Sequence, residues 1–511
     1  MRQTVGILGT PIDILDREAV LARLEQFIQE RRFHQVATAN TDFLINAVGD
    51  PELKRILRNA DLVVPDGMPV VWAARLMRSA LPERVTGADL VPALAALAAR
   101  KGYRLYMLGG RPEIAQRAKA RLEADYPGLQ IVGCVSPPVA PLLEMDHEAI
   151  LADIRRAQPD ILLVAFGNPK QEKWIDLNRD GLRGVPVCIG VGGTFDFLAG
   201  EVPRAPLWMQ RSGLEWMHRL AHEPRRLWKR YVRDILQFSR YLGRQWWAVR
   251  QARSAGIAEI FRAQAGDCVV VSLLGDFDSR ILARFQAIAD ETFNAKKHLV
   301  LDFGGVTAFD GAALGTLINL PKRAAYCGCT VRLVAPPPTF AAALRRSQLQ
   351  DGLFQVAGSV AQAFSNGHSA GLCWQVRRGA GAAVVTASGA ADQRSVCGLE
   401  KTCARLLESG KRVDLDARGV TYASSPLLAS LCRLNGANAH AERGQGARFR
   451  VVAGATLRRA LERENLLAQF VLLEAPEVPQ DAVEEAVEQA EIEGAQERPP
   501  VEPIALFAQG G

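Results

Sequence analysis

Between residues 34 and 193, short apolar runs rich in β-branched residues alternate with segments of helical period. The runs are HQVATAN, DLVVPDG, RLYMLGG, IVGCV, DILLVAFG and VPVCIGVGG, with stretches such as PEIAQRAKARLEADY between them. Strands of near-continuous apolar character alternating with helices predict a parallel sheet covered by helices, an α/β domain placed at 1–203. Nearly every run ends in Gly, Asn or Asp. Ligands bind beyond the carboxyl ends of the strands in open parallel sheets. Asn40, Asp66, Gly109, Gly110, Gly167, Asn168, Gly192 and Gly193 are therefore expected to converge on one crevice.

The pattern changes at 204–250, which reads RAPLWMQRSGLEWMHRLAHEPRRLWKRYVRDILQFSRYLGRQWW, with Trp, Leu and Met interleaved among Arg and Lys. This predicts one or two amphipathic helices broken near Pro224. A basic helix carrying tryptophans suits an anionic membrane surface; the alternative is that its apolar face packs on the sheet domain, and both can hold for different turns.

Beyond a connector the chain repeats itself weakly. VVVSLLGDFDS, HLVLDFGGVTAFDGAALGTL, VRLVAP and TFAAALRRSQLQDGLFQV are echoed by AAVVTASGAAD, RVDLDARGVTYASSPLLASL, FRVVAG and TLRRALERENLLAQFVLL. Each copy, at 258–366 and 372–474, is long enough for a self-sufficient small domain, so this is a duplication and not a solenoid. The remainder, 475–511, is acidic and rich in Pro, Gln and Ala, and is expected to be disordered, with AVEEAVEQAEIE as a transient helix at most.

Composition adds boundaries to this picture. At 511 residues, 48% hydrophobic and 23% charged, the chain is too long for one core and reads as soluble and globular. No apolar run approaches the roughly 20 residues that span a bilayer, and the N-terminus lacks the layout of a signal peptide, so a cytoplasmic location is expected. Nine cysteines, without a CxxC pair, indicate neither a zinc knuckle nor a disulfide framework. The net charge of +7 is concentrated in the 204–250 stretch. No nucleic-acid-reading motif accompanies it, and the tryptophans there follow helical spacing, so a nucleic-acid partner is not expected.

Several residues carry candidate chemistry. Asp66, in PDGMPVVWA, sits where a strand gives way to a helix and could take a proton from an attacking hydroxyl; a lone Asp before Gly also serves as a turn or cap. LGGRPE, residues 108–113, places two glycines and a proline at a helix start, where free N–H groups can face a phosphate. FGNPKQEKW and GVGGTFDFLAGEVPRAP end strands in small residues followed by Gln171, Glu172 and Asp196, which could bind a base, ribose or sugar.

Taken in order, TANTDF, PDGMPVVW, ERVTGADL, LGGRPE, FGNPKQEKW, GVGGTFDFLAG and RAPLWMQRSGLEWMHRL make residues 5–245 resemble the WecG/TagA/CpsF glycosyltransferases, glycosyltransferase family twenty-six. The resemblance implies a Rossmann-like sheet with a helical basic C-terminal appendage. It implies an inverting transfer of a hexose, such as N-acetylmannosamine, glucose or a uronic acid, from a UDP-sugar to an undecaprenyl-diphosphate-linked acceptor in polysaccharide synthesis. The location implied is peripheral, on the inner face of the cytoplasmic membrane.

By the same resemblance Asp66 matches the proposed general base, Thr38 and Asn40 match polar neighbours, Arg84 matches a holder of acceptor phosphate, and Gln171 matches a site glutamine. The GVGGTFD segment matches part of the nucleotide site. No metal is expected, and arginines would neutralise the leaving diphosphate, with Arg211, Arg219, Arg225 and Arg226 as candidates from the appendage. Where the family often has Pro-Glu or Ala-Glu after the threonine of the Asn-containing turn, this chain has Thr38-Ala39-Asn40-Thr41-Asp42.

LDFGGVTAFDGAALGTL resembles the STAS domain, a small mixed sheet with helices on one side, and the second copy resembles a degenerate one. In phosphorylated members an Asp-Ser-Ser-Gly turn opens a helix and the second Ser accepts phosphate. Here Ala312 and Pro426 stand at that position, with Ser424 and Ser425 adjacent in the second copy. Binding of a partner protein, or pairing of the copies, is the expectation. An enzyme is the leading reading; its alternative is an inactive nucleotide-sugar sensor signalling through the STAS-like domains.

Overall fold

The computed structural model describes residues 2–202, 224–251, 258–334, 338–349, 354–357, 372–378, 381–439, 448–474 and 483–489, apart from residues 266 and 392, together with isolated positions between these stretches. The chain forms two compact units, Met1–Gly367 and His368–Gly511.

The first unit opens with an antiparallel hairpin that the apolar pattern did not predict. Strands β1 (Thr4–Ile7) and β2 (Thr10–Asp13) are joined by Leu8 and Gly9, both at positive φ, the geometry that matches strand twist in a two-residue turn. Helix α1 (Arg17–Glu30), capped by Asp16, leads to the main sheet. Its strands are β3 (His34–Ala39), β4 (Leu62–Pro65), β5 (Arg104–Gly109), β6 (Gln130–Val135), β7 (Ile161–Ala165) and β8 (Val187–Gly190). They are parallel throughout, in the order β4-β3-β8-β7-β5-β6. All six runs read from the sequence are thus strands of one sheet, and their carboxyl ends lie along one edge.

The connecting helices are α2 (Thr41–Gly49), α3 (Pro51–Asn59), α4 (Met68–Leu76), α5 (Gly87–Lys101), α6 (Pro112–Asp125), α7 (His147–Ala157), α8 (Lys170–Leu177) and α9 (Thr194–Leu198). Short polar residues start them: Asn40 caps α2, Asp50 caps α3, Thr86 caps α5 and Asp146 caps α7. Val36, Leu62, Leu105, Ile161 and Ile189 fill the sheet's core on one face with α1, α5 and α6. On the other, Leu162, Val164 and Cys188 pack with Trp174 and α7.

Helix α10 runs Pro224–Gln251, beginning at the expected proline. Its later turns bury Phe238, Leu242 and Val249, and Gln245 is fully buried, accepting from Leu8 N (2.9 Å) and donating to Gly6 O (2.8 Å). Earlier turns leave Trp228, Val232, Ile235 and Leu236 exposed. The packing reading of the basic stretch therefore holds for the later turns, while the earlier described turns keep an exposed apolar face.

A second sheet follows in the same unit, built from β9 (Ala258–Ala265), β10 (Cys268–Phe277), β11 (His298–Phe309), β12 (Val331–Val334) and β13 (Gln355–Ala357), in the order β13-β12-β11-β10-β9. Its helices are α11 (Ser279–Asn294), α12 (Gly311–Tyr326) and α13 (Pro338–Arg346). One continuous apolar cluster runs from Val5, Ile7 and Met77 through Leu314, Leu317 and Ile318 to Phe277 and Phe303. The first repeat and the transferase-like sheet consequently share a core.

The second unit repeats that plan with β14 (Cys373–Arg378), β15 (Ala382–Ala390), α14 (Gln393–Glu408), β16 (Arg412–Tyr422), α15 (Ser425–Ala439), β17 (Phe449–Ala453) and α16 (Ala455–Arg463). The β10–β11 and β15–β16 pairings break register at matching places, between Gly275 and Asp276 in one and between Gly389 and Ala390 in the other, which marks the two copies as one fold. Ser424 and Ser425 are buried, and Ser424 Oγ accepts from Leu427 N, so both are spent inside the fold. One expectation is corrected here. Within the acidic segment at 475–511, expected to be disordered or transiently helical, β18 (Val483–Gln489) pairs antiparallel with β14. An open edge of β14 offers unpaired backbone groups, and satisfying them outweighs helix propensity. The rest of that segment lies outside the described residues.

Candidate active site

Because the six strands are parallel, the predicted residues gather at one sheet edge. Asp66 follows β4 directly, its N–H donating to Ala39 O (2.9 Å) at the end of neighbouring β3, which locks the two strand ends side by side. Its side chain is half-buried. Gly67, at φ +127°, turns the chain sharply into α4, a conformation closed to residues with a Cβ. Thr38 is buried and donates to Gly190 O (3.1 Å), tying β3 to β8. Asn40 caps α2, its Oδ1 accepting from Phe43 N (3.2 Å). Thr38 and Asn40 therefore shape the ground beside Asp66.

Arg84 is brought to the same place by its neighbour, since Val85 N donates to Pro65 O (2.8 Å), the residue before Asp66. Its guanidinium donates to Glu215 Oε2 (2.7 Å) and lies 3.9 Å from Asp89 Oδ2. Burial alone would raise the Asp89 carboxyl, but hydrogen bonds from Arg204 and Thr86 and the charges of Arg204 and Arg84 hold it below its ordinary value. Arg84 and Arg204 thus share the carboxylates of Asp89 and Glu215, a network that holds the Arg84 guanidinium in place.

The glycine loops form the other wall. Gly109, Gly110, Gly167 and Gly192 all have positive φ, while Gly193 precedes α9. Gly110 passes close to Phe195, where an added Cβ would sit 3.2 Å from the ring. Arg111, not singled out from the sequence, stands at the start of α6 with an exposed guanidinium 3.6 Å from Asp196 Oδ1. The signal was available in LGGRPE, where a basic residue lies between the glycines and a helix N-terminus. That pairing suits an anion.

Gln171 and Glu172 are placed differently from the expectation of direct ligand contact, since both side chains are buried. Gln171 Oε1 accepts from Gly167 N (3.2 Å) and Gly192 N (3.0 Å), so one side chain joins the loops after β7 and β8. Its Nε2 donates to Glu172 Oε1 (2.7 Å), and Asn168 Nδ2 donates to Glu172 Oε2 (3.2 Å). Burial pushes the Glu172 carboxyl up to about 8 despite these donors. Gly190 makes room for the pair: a Cβ there would lie 2.5 Å from both Gln171 Nε2 and Glu172 Oε1. The two residues brace the site from beneath.

Arg211 and Arg219 lie outside the described residues, and of Arg225 and Arg226 only their place in the first turn of α10 is described.

Comparison with known proteins decides what this arrangement belongs to. Residues 5–252 match the model of the glycosyl transferase WecG/TagA/CpsF family. A Bacillus subtilis (strain 168) protein named N-acetylglucosaminyldiphosphoundecaprenol N-acetyl-beta-D-mannosaminyltransferase is 33% identical over 208 residues, 41% of this chain and 78% of the relative. A protein of the same name from Bacillus spizizenii (strain ATCC 23059 / NRRL B-14472 / W23) is 32% identical over 238 residues, 45% of this chain and 90% of the relative. The chain belongs to the WecG/TagA/CpsF family. It is a glycosyltransferase, and the matched residues 5–252 include the whole of the sheet edge described above. Residues 260–356 match the Mlab STAS domain model, which fits the first repeat.

Proposed function

We propose that this transferase moves N-acetylmannosamine, or a closely related hexose, from a UDP-sugar to an undecaprenyl-diphosphate-linked N-acetylglucosamine acceptor, with inversion. The two relatives' names supply the acceptor and the first donor to try. The observation carrying the reading is Asp66 at the end of β4, locked to β3 and facing the same edge as the glycine loops after β5, β7 and β8.

In this reading the Asp66 carboxylate takes the proton from the acceptor hydroxyl. The freed oxygen attacks the donor's anomeric carbon as the bond to the diphosphate oxygen breaks, and UDP leaves with that electron pair. Backbone N–H groups at Gly109–Gly110 and the α6 start, with the Arg111 and Arg84 guanidinium groups, are the donors for phosphate oxygens. Arginine cations in that role fit the expectation of a transfer without a metal. The Gln171–Glu172 brace keeps the loops from reorganising as charge develops.

Membrane location enters through α10. Trp228, Val232, Ile235 and Leu236 recur at helical spacing as an exposed apolar stripe, with Arg233 and Arg240 exposed beside it. Such a face inserts into an anionic lipid surface, where a polyprenyl acceptor resides. Among the described residues no helix is long and apolar enough to cross a membrane. The test is acceptor-dependent UDP release across a panel of UDP-sugars with a diphospho-lipid-linked N-acetylglucosamine. Turnover with UDP-N-acetylmannosamine alone or best supports the reading, and turnover restricted to another donor class refutes the donor assignment.

A further inference from the structure

The first STAS-like domain touches the transferase sheet at chosen points. Along α12, glycines allow backbone approach: a Cβ on Gly315 would lie 2.2 Å from Thr4 O, and one on Gly6 would lie 2.8 Å from Leu314 Cβ. Asn319 Nδ2 donates to Thr4 Oγ1 (2.8 Å) in this seam. Farther along, Lys322 Nζ donates to Asn59 O (2.6 Å), Ala60 O (3.0 Å) and Asp61 Oδ1 (2.9 Å). It thereby satisfies carbonyls at the C-terminal end of α3, where a cation also meets the helix dipole favourably. At the other end of α12, Gly311 N donates to Met77 O (2.8 Å), the residue after α4.

These contacts bracket one segment. Residues 59–61 lead into β4, Asp66 follows β4, α4 follows Asp66, and Met77 ends α4. Arg58 adds a further tie, its Nη2 donating to Gln348 O (2.7 Å) beyond α13. One face of α12 is thus occupied by this chain's own β1–β2 hairpin, residues 59–61 and Met77.

We propose that the first STAS-like domain is a resident positioning element of the transferase, gripping the β4–Asp66–α4 segment at both ends through α12. The proposal rests on Asp66 acting as the base. Rigid backing at residues 59–61 and 77 fixes the depth at which the Asp66 carboxylate enters the crevice. Loosening either end costs turnover more than donor binding, because the donor-side loops after β7 and β8 are held separately by Gln171.

The test uses the full-length chain with Lys322→Met and, as conservative rescue, Lys322→Arg. Amide hydrogen exchange is followed by peptide, and kcat, donor KM and donor affinity by calorimetry are measured alongside Asp66→Asn. The expected result for Lys322→Met is about tenfold faster exchange confined to peptides spanning 59–78, the scale of losing a set of partly buried hydrogen bonds. With it, kcat falls about tenfold while donor KM and affinity stay within about twofold, and Lys322→Arg recovers most of the loss. Unchanged exchange over 59–78 overturns the grip. Faster exchange with unchanged kcat, in a chain that Asp66→Asn inactivates, overturns the positioning role. Full activity of Asp66→Asn would instead remove the base assignment, and the positioning proposal with it.

Discussion

Replacing Gln171 by Met tests the brace beneath the crevice. The side chains are close in size, so the change removes polar atoms without opening a cavity. It deletes three hydrogen bonds: from Gly167 N at 3.2 Å, from Gly192 N at 3.0 Å, and to Glu172 Oε1 at 2.7 Å. At about 1 kcal/mol net each, the loss is about 3 kcal/mol, reduced to about 2 kcal/mol because the partly buried glycine N–H groups can recruit water. Urea unfolding of the full chain measures this directly. Loops no longer joined to each other should misplace the donor, lowering kcat/KM by about ten- to a hundredfold. A variant whose stability lies within about 0.5 kcal/mol of wild type and whose kcat/KM is within about twofold would show that the loops hold their shape without Gln171.

Two further outcomes follow from the same geometry. Glu172 has an ordinary value of 4.5 and is pushed by burial up to about 8, so between those values the folded state holds a proton that the unfolded state has released. Its contribution to stability should therefore fall as pH rises across that window, by about 1.4 kcal/mol per pH unit at most, and level off above it. Unfolding midpoints of wild type and Glu172→Gln should diverge in slope between pH 5 and 8, and parallel profiles would contradict the buried neutral carboxyl. Trp228→Ser with Ile235→Ser should weaken co-sedimentation with anionic vesicles about tenfold, since apolar burial and charge both contribute to interfacial binding. Equal sedimentation would place the membrane face elsewhere.

The sheet was legible because strands covered by helices leave near-continuous apolar runs alternating with helical segments, and because parallel pairing makes all their carboxyl ends meet. Asp66 and the glycines could be placed on that edge from order alone. The β1–β2 hairpin escaped notice since its strands are four residues long and carry no alternation. Gln171 and Glu172 were read as ligand contacts because a polar pair after a glycine turn carries no mark of which way it faces; only the fold shows them turned inward under Gly190. The docking of α12 was equally hidden: Gly315, Asn319 and Lys322 recur at helical spacing, but nothing in that spacing marks their partners at Thr4 and residues 59–61, hundreds of positions away. The strand at Val483–Gln489 was hidden for another reason, as VEEAVEQ is acidic and spaces its apolar residues as a helix would, so only the open sheet edge reveals it.

The central claim is that Asp66 removes the proton from the acceptor hydroxyl. UDP release by the full-length protein, measured with the preferred UDP-sugar in the presence and absence of the diphospho-lipid acceptor, should be acceptor-dependent in wild type. Asp66→Asn, which keeps the shape and removes the base, should lower kcat by about a hundred- to ten-thousandfold while donor affinity stays near wild type. A variant that retains wild-type kcat would contradict the account, and the proton would have to leave through another group at the crevice.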